Sequence, residues 1–420
     1  MTVENCEQYL ASQTMKTALY LKGRAQTSSE LFYRLTKICE AFIRDNQVVI
    51  YGGTAINALL PEEDKFYDPV TDVPDYDVYS PIPMKHAKEV VDIFVKNGFE
   101  HVEAKSGVHY GTYKVYVNFT AALDITYMPP KLFKMVEKDA IIQDGMLYAN
   151  PALLRQGMYK ELSEPMGDVE RWKKVVPRLQ KLNKAYPIKA ENCAEVFEPK
   201  TDVVPMDKAL KELVETILVE QRVVFLGGGL GNALYAAEMD PPMKLEDAPY
   251  YEAIATSPLQ TFHVLQKTLE REGYSPITAV KHEEIHEMVG YHYEVKWKKN
   301  TIALLFVPLR CYAYNEVVRK GVTYRVGSFD TLLSFYFAYL YVKRPYLNKK
   351  RITCMADMLF KVQQQNYNNV KGLLNRYPLT CYGKEVTLQT IRAKKAQMRK
   401  KLKRGTKAYR RWFFNYHPVT

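Results

Sequence analysis

The sequence predicts an α/β protein that carries one module in two tandem copies, the second degenerate, with helical segments and a basic C-terminal tail. Three observations carry that prediction. At roughly 100–200 residues per domain, the 420-residue chain holds two or three domains. Its 47% apolar and 25% charged content is that of a soluble globular protein and excludes global disorder and fibrous repeats. Shifted by about 175 positions, the chain falls into register with itself at a collinear series of features, which is how a duplicated unit is read from sequence.

Taken in order, residues 31–45 carry Leu31, Leu35, Ile38 and Phe42 at helical spacing, and Thr27-Ser-Ser-Glu30 has the form of a capping box. The apolar run Val48–Tyr51 predicts a strand that ends in Gly52-Gly53, and a helix follows from Thr54 to Leu60. Pro74–Tyr79 and Ala122–Tyr127 predict further strands. Residues 150–182 read as helices, with Leu153, Leu154 and Met158 in the core.

The second half repeats the series. A helix with Leu210, Leu213, Val214, Ile217 and Leu218 leads to the strand Val223–Leu226 and to Gly227-Gly228. Ile56-Asn-Ala-Leu59 falls on Gly231-Asn-Ala-Leu234, and Asn97-Gly-Phe99 on Glu272-Gly-Tyr274. With small gaps, Tyr127-Met-Pro129 meets Phe306-Val-Pro308, and Leu153-Leu154 meets Leu332-Leu333. Pro165 and Arg171 then meet Pro345 and Arg351. The expected domains are an N-terminal helical segment (1–45), a catalytic module with a helical extension (46–190), a degenerate module with its own extension (200–391) and the tail (392–420). The Pro- and charge-containing stretch from Lys184 to Pro205 is the expected junction.

The chemistry sits in the first copy. On a strand, positions i and i+2 share a face, so Asp75 and Asp77 project together. Asp124, in the run Ala122–Tyr127, supplies a third carboxylate from a strand that could lie alongside. Three converging carboxylates suit hard cations such as Mg²⁺, and two such ions can clamp the attacking and leaving oxygens of a phosphoryl displacement. Gly52-Gly53-Thr54, between strand and helix, would let a phosphate approach the backbone and meet free N–H groups, with the Thr54 hydroxyl adding a contact. A D-x-D alone is expected roughly once by chance in a chain of this length. The three signals gain meaning from their order and their strand–turn–helix–strand context. In the second copy Tyr250 and Glu252 stand where Asp75 and Asp77 do, and Ala303 stands for Asp124 when counted from the shared proline. The glycine turn survives as Gly227-Gly-Gly229 while the acids do not.

A glycine pair after a strand, two aspartates in alternation and a later strand aspartate resemble the signature of the polymerase-β-like nucleotidyltransferase superfamily. The tandem arrangement resembles poxvirus-type poly(A) polymerase catalytic subunits, nearest to those of giant cytoplasmic DNA viruses. The carrying residues are Val49-Ile-Tyr-Gly-Gly-Thr-Ala-Ile-Asn57, Asp75-Tyr-Asp-Val-Tyr-Ser80 and Arg171-Trp-Lys-Lys-Val-Val-Pro-Arg178. The resemblance spans roughly residues 30–390 through short motifs. It implies template-independent addition of AMP from ATP to a single-stranded RNA 3′ end. Asp75, Asp77 and Asp124 would be catalytic residues and ligands of two Mg²⁺ or Mn²⁺ ions. Gly52, Gly53 and Thr54 would hold the triphosphate, and Lys173 and Arg178 would face it or the RNA, or else form a solvated basic face. It also implies a homodimer or a separate processivity subunit, and action in a viral factory of the host cytoplasm or in the virion. The 21 residues between Gly53 and Asp75 exceed the usual superfamily spacing, and the acidic insert Pro61–Asp72 reads as a loop.

Two other motifs read as bland. His282-Glu-Glu-Ile-His286 matches a zinc-protease pattern, but it lies between Pro276 and the strand-like run Tyr291–Trp297 and reads as a connector. Gly227-Gly-Gly-Leu-Gly231 lacks the third glycine of a dinucleotide fingerprint, because Asn232 stands there, and reads as a fold turn.

The net charge of +12 is local. Residues 392–420 hold eleven Lys or Arg and no Asp or Glu, leaving 48 basic against 47 acidic residues in the body. Such a run points to a polyanion. The aromatics Tyr409, Trp412, Phe413, Phe414 and Tyr416 either stack on bases of single-stranded RNA or dock the tail onto the body. The six cysteines form no C-x-x-C pair, the start Met1-Thr-Val-Glu-Asn-Cys6 has no apolar leader, and no stretch has the ~18–20 apolar residues of a membrane span. The expectation is a soluble intracellular chain with reduced thiols. A non-catalytic RNA-binding scaffold and a nucleotidyltransferase acting on a small molecule or a protein are the competing function classes.

Overall fold

The computed structural model describes residues 3–68, 70–193, 206–243, 245, 250–344 and 346–418. They fall into two compact units, 1–154 with 391–420 and 155–390. Each unit contains one eight-stranded sheet of mixed orientation. The division therefore differs from the expected one. Residues 155–190 cluster with the second unit, and the C-terminal tail returns to the first. Residues 194–205 of the expected junction, and Pro345, lie outside the described residues.

In the first unit, α1 (Val3–Thr27) leads to α2 (Glu30–Asp45). Ser29 caps α2, its side chain accepting from the Phe32 N–H at 3.1 Å. The expected capping box from Thr27 is thus corrected. Because α1 runs through Thr27, the break is confined to Ser28-Ser29, and Glu30 becomes the first residue of α2. The strands and helices that follow are β1 (Val49–Tyr51), α3 (Gly52–Leu59), β2 (Tyr76–Ser80), α4 (Pro83–Lys96), β3 (Val102–Ser106), β4 (Thr112–Val117) and β5 (Thr120–Tyr127). Then come α5 (Pro130–Lys138), β6 (Ile141–Gln143) and β7 (Met146–Tyr148), and α6 (Pro151–Leu162) runs across the boundary at Leu154 into the second unit.

Alternation along the strands separates a core face from a polar face. In β2, Tyr76, Val78 and Ser80 are buried while Asp77 and Tyr79 are only half-buried. In β4, Tyr113, Val115 and Val117 are buried and Lys114 is not. The buried set meets Ala87, Val90, Val91 and Phe94 on one stripe of α4, the spacing a helix needs to cover a sheet. Burying each such apolar side chain contributes about 1.5–3 kcal/mol. The opposite face is left to polar side chains.

The second unit continues with α7 (Trp172–Ala185), α8 (Lys208–Glu220), β8 (Val224–Phe225), a tight turn over Gly227–Gly231, α9 (Asn232–Ala236), β9 (Tyr251–Ile254), α10 (Pro258–Arg271) and β10 (Ile277–His282). Then follow β11 (His292–Trp297), β12 (Asn300–Phe306), β13 (Tyr312–Arg319), β14 (Val322–Gly327), α11 (Phe329–Tyr339), α12 (Lys349–Gln365) and β15 (Cys381–Tyr382). Its sheet runs β10-β11-β12-β9-β8-β14-β13-β15, and the first runs β16-β3-β4-β5-β2-β1-β7-β6. Without the edge strands β15 and β16, the two orders correspond strand for strand. The pairings agree in direction too: β2 with β5 and β9 with β12 are parallel, and β1 with β2 and β8 with β9 are antiparallel. Even the register is kept, with Ile50 opposite Val78 and Phe225 opposite Ala253. Both α4 and α10 open on a proline, Pro83 and Pro258, where the missing N–H costs nothing.

One correspondence is corrected. Asp77 faces Asp124, and its counterpart Glu252 faces Leu304 rather than Ala303. Counting back from Pro308 slips by one residue because the connection after β12 is one residue shorter, and a one-residue slip moves a side chain to the other face.

The tail forms α13 (Leu388–Lys401), α14 (Lys407–Trp412) and β16 (Asn415–Tyr416). β16 pairs with the edge strand β3. Tyr113 donates its hydroxyl proton to the Arg411 carbonyl, and Phe414 is buried edge-on against Tyr113. Tyr416 donates to Asp92 at 2.7 Å. Of the two readings of the tail aromatics, Phe414 and Tyr416 follow the docking one.

The reduced-thiol expectation is overturned. Cys193 is bonded to Cys354, and Cys311 to Cys381, while Cys6 and Cys39 are free. Pairing of β13 with β15 sets Ala313 opposite Cys381 and carries nearby Cys311 to a Cα separation of 5.2 Å. Linear spacing held no trace of that neighbourhood. Among the described residues, no helix is long and apolar enough to cross a membrane.

Candidate active site

The polar face of the first sheet carries one continuous row across four strands. Tyr51 on β1 is opposite Asp77 on β2, Asp77 is opposite Asp124 on β5, and Asp124 is opposite Lys114 on β4. Asp77 and Asp124 lie on parallel neighbours, so their side chains emerge beside each other from strands about 4.8 Å apart. Lys114 donates a hydrogen bond to the Asp124 carboxylate. Asp75 is exposed, just ahead of β2. Its charge reaches both Asp124 and Lys114, which places it beside the row.

The glycine turn is built around these carboxylates. Gly52 has φ +72°, and a Cβ there would lie 2.8 Å from Asp77 Oδ2. Only glycine fits both demands. Gly52 and Gly53 are the first two residues of α3, and Tyr51, which precedes them, makes no side-chain cap. Thr54 donates its hydroxyl proton to the Asp75 carbonyl at 2.6 Å. The threonine therefore ties the helix start to Asp75 and fixes where that aspartate leaves the loop. Asn57 closes the insert by accepting from the Phe66 and Tyr67 N–H groups at 2.8 and 3.0 Å.

Burial raises the Asp124 carboxyl above its usual range; Lys114 opposes that rise and the charge of Asp75 adds to it. Burial would lower Lys114, but its bond to Asp124 and the charge there outweigh it, and the ammonium is held above its usual value. Beside the row, Tyr51 stacks on Tyr79 with centroids 3.8 Å apart. Its hydroxyl meets Thr126 Oγ1 at 2.9 Å, and Thr126 meets Thr112 at 3.0 Å. Burial pushes the Tyr51 phenol well up, so it stays neutral.

Lys114, Thr126 and Tyr51 were not expected from the sequence. The signal for Lys114 was present, as a lone lysine in the alternating run Thr112–Val117 that pairs back from the Asn118-Phe119 turn onto Asp124. A register shift between Val115 and Tyr116 hides that pairing from simple counting.

Lys173 and Arg178 lie on α7 of the second unit. Lys173 pairs with Glu170 at 2.6 Å, with both side chains 78% exposed. At the matching place of the second sheet, Glu252 is buried and accepts the Gly228 N–H at 3.2 Å. Burial pushes its carboxyl up to about 7, against the pull of that N–H and of Arg351. Tyr336 donates to Asn232 at 2.5 Å and occupies the space a side chain at Gly227 would need. His282 ends β10 with Nε2 2.9 Å from Glu294, and His286 lies beyond it in the connector.

Among the described residues, no three or more His, Cys, Asp or Glu side chains are gathered closely enough to hold a metal ion. The row nevertheless offers the right donors. Asp75, Asp77 and Asp124 are hard carboxylate oxygens in neighbouring positions, and Asp124 already holds a cationic partner in Lys114.

Residues 37–168 match the family model described as "Poly(A) polymerase catalytic subunit". That stretch contains the glycine turn, all three aspartates and Lys114. A protein of Acanthamoeba polyphaga mimivirus described as a poly(A) polymerase catalytic subunit is 30% identical over 190 residues, 44% of this chain and 31% of that protein. One from African swine fever virus (strain Badajoz 1971 Vero-adapted), described in the same way, is 28% identical over 175 residues, 40% of this chain and 36% of its own length. The chain thus spans about a third of the length of these curated relatives. The crystal structure of the Megavirus polyadenylate synthase is similar with a TM-score of 0.82 at 20% identity, over 99% of this chain and 86% of that one. At that identity the likeness is one of fold.

Proposed function

We propose that this chain is a template-independent poly(A) polymerase that transfers AMP from ATP to the 3′ end of single-stranded RNA. The observation that carries the reading is the direct pairing of Asp77 with Asp124 on parallel strands, beside a glycine-led helix, inside the stretch that matches the family. The exposed cations of the tail support RNA as the acceptor.

In this reading Asp75, Asp77 and Asp124 would hold Mg²⁺ or Mn²⁺, which would lower the pKa of the primer hydroxyl and offset the charge of the departing pyrophosphate. The chain does the rest. Asp124 takes the proton of the 3′-hydroxyl, and the oxygen attacks the α-phosphorus as the bond to pyrophosphate breaks. The N–H groups at the start of α3 receive phosphate oxygens, a role the positive end of a helix favours. Lys114 keeps Asp124 charged and aimed between the strands, and Thr54 fixes Asp75.

The second unit is read as a degenerate copy of the first. Equal strand order, equal register, the glycine turn and the proline-led helix support common descent. Glu252, Tyr336 and Asn232 fill the place where the first copy has its site. The viral relatives support the expected setting, a viral factory in the host cytoplasm or the virion.

One incubation tests the reading: labelled RNA, Mg²⁺ or Mn²⁺, and each nucleoside triphosphate separately. A ladder with ATP alone is expected. Tight RNA binding without extension under any condition overturns it in favour of a scaffold. Modification of a protein or small molecule with RNA unchanged overturns it in favour of another acceptor. Sizing the active species in the same assay separates a homodimer from a chain that needs a processivity subunit.

A further inference from the structure

Beside its exposed cations, the docked tail presents a ring pair that the polymerase reading does not use. Lys395 alone among its cations is drawn in, donating to the Gly107 carbonyl at 2.8 Å and lying near Ser106. The tail's other Lys and Arg side chains are exposed, and among the described residues none has a carboxylate partner. This cationic surface abuts the turn between β3 and β4. There Tyr110, 47% exposed, lies against Trp412 with ring centroids 4.5 Å apart. The Lys394 ammonium stands 6.0 Å over the Trp412 ring. Unlike Phe414, these two rings are not in the core.

The turn is also tied to the catalytic strand. Tyr127, the last residue of β5, donates its N–H to the Gly111 carbonyl at 2.9 Å, beside Tyr110. Asp124 lies three residues earlier on the same strand, a run of about 10 Å. Half-exposed rings flanked by unpaired cations suit a single strand, because every base offers a face for stacking and every phosphate a charge.

We propose that Tyr110 and Trp412, with Lys394, form a base-stacking subsite for the single-stranded RNA primer, and that the exposed cations of α13 hold the adjoining phosphates. The inference rests on the polymerase reading for its choice of RNA. The subsite receives the strand at the end of β5 and steers its 3′ end toward Asp124.

The test compares a labelled oligo(A) RNA with an abasic ribose–phosphate strand of equal length, by fluorescence anisotropy at two salt concentrations. Tyr110→Ser and Trp412→Ala should each weaken oligo(A) binding about 10-fold. Neither should change binding of the abasic strand or the salt slope, and Trp412→Phe should bind like the wild type. Tyr110→Ser guards against an undocked tail, since it leaves the Lys395, Tyr113 and Phe414 anchors intact. Equal losses on both strands, or no loss, overturn the subsite while leaving the polymerase reading in place. A wild-type chain that binds neither strand overturns both.

Discussion

Asp124 and Lys114 face each other across antiparallel strands, with the ammonium hydrogen-bonded to the carboxylate. The pair is asymmetric in its surroundings. Asp124 is 11% exposed at its side chain and Lys114 34%. The lysine therefore serves the aspartate more than the reverse: it compensates a buried charge that Asp75 would otherwise repel.

Lys114→Met should destabilise the first unit by about 1–2 kcal/mol. The cost lies below that of breaking a fully buried pair because the lysine keeps part of its side chain in water. The double variant Lys114→Met/Asp124→Asn should recover most of the loss. Urea unfolding of the four chains of the cycle measures this; strictly additive losses would mean that the two residues act independently.

Gly52→Ala confronts two obstacles at once, a positive φ and the nearby Asp77 carboxylate. A loss of about 1–2 kcal/mol is expected from the backbone alone, together with a fall in nucleotide incorporation out of proportion to the fraction unfolded. Equal stability and activity to wild type would show that the turn has another conformation open to it.

Glu252 gives the second unit a pH dependence of definite sign. Its carboxyl is raised from 4.5 to about 7 in the folded chain, so between those values the folded state holds a proton that the unfolded state has released. Stability contributed by Glu252 is thus full below the lower value and falls as pH rises through the upper one. Glu252→Gln should remove that slope, and its stability relative to wild type should rise from pH 4.5 to 7 and level off above. Denaturation midpoints at pH 4.5, 6 and 8 decide it; parallel curves would place the residue's ionisation elsewhere.

The sequence disclosed those parts of the molecule that repeat or alternate. The glycine turn and the aspartate pair could be read because strand periodicity and order along the chain specify them. The collinear features of the two halves were visible for the same reason, and the structure gives them corresponding strand pairings, β1 with β2 and β8 with β9. What escaped depended on pairing between distant strands. Lys114 becomes part of the site only through the hairpin register, and Leu304 replaces Ala303 through a one-residue difference after β12. Cys311 meets Cys381 only because β15 returns to β13. The tail's charge was plain from composition, whereas its anchoring through β16 and Phe414 required the edge strand β3 to be in place.

The most direct test of the central claim is AMP incorporation into labelled RNA by Asp77→Asn and Asp124→Asn. Each is checked beside the wild type for RNA binding and thermal unfolding. Each substitution should lower incorporation at least about 1000-fold, with RNA affinity and folding little changed. Incorporation that survives either substitution would contradict the assignment of this carboxylate row as the site of transfer.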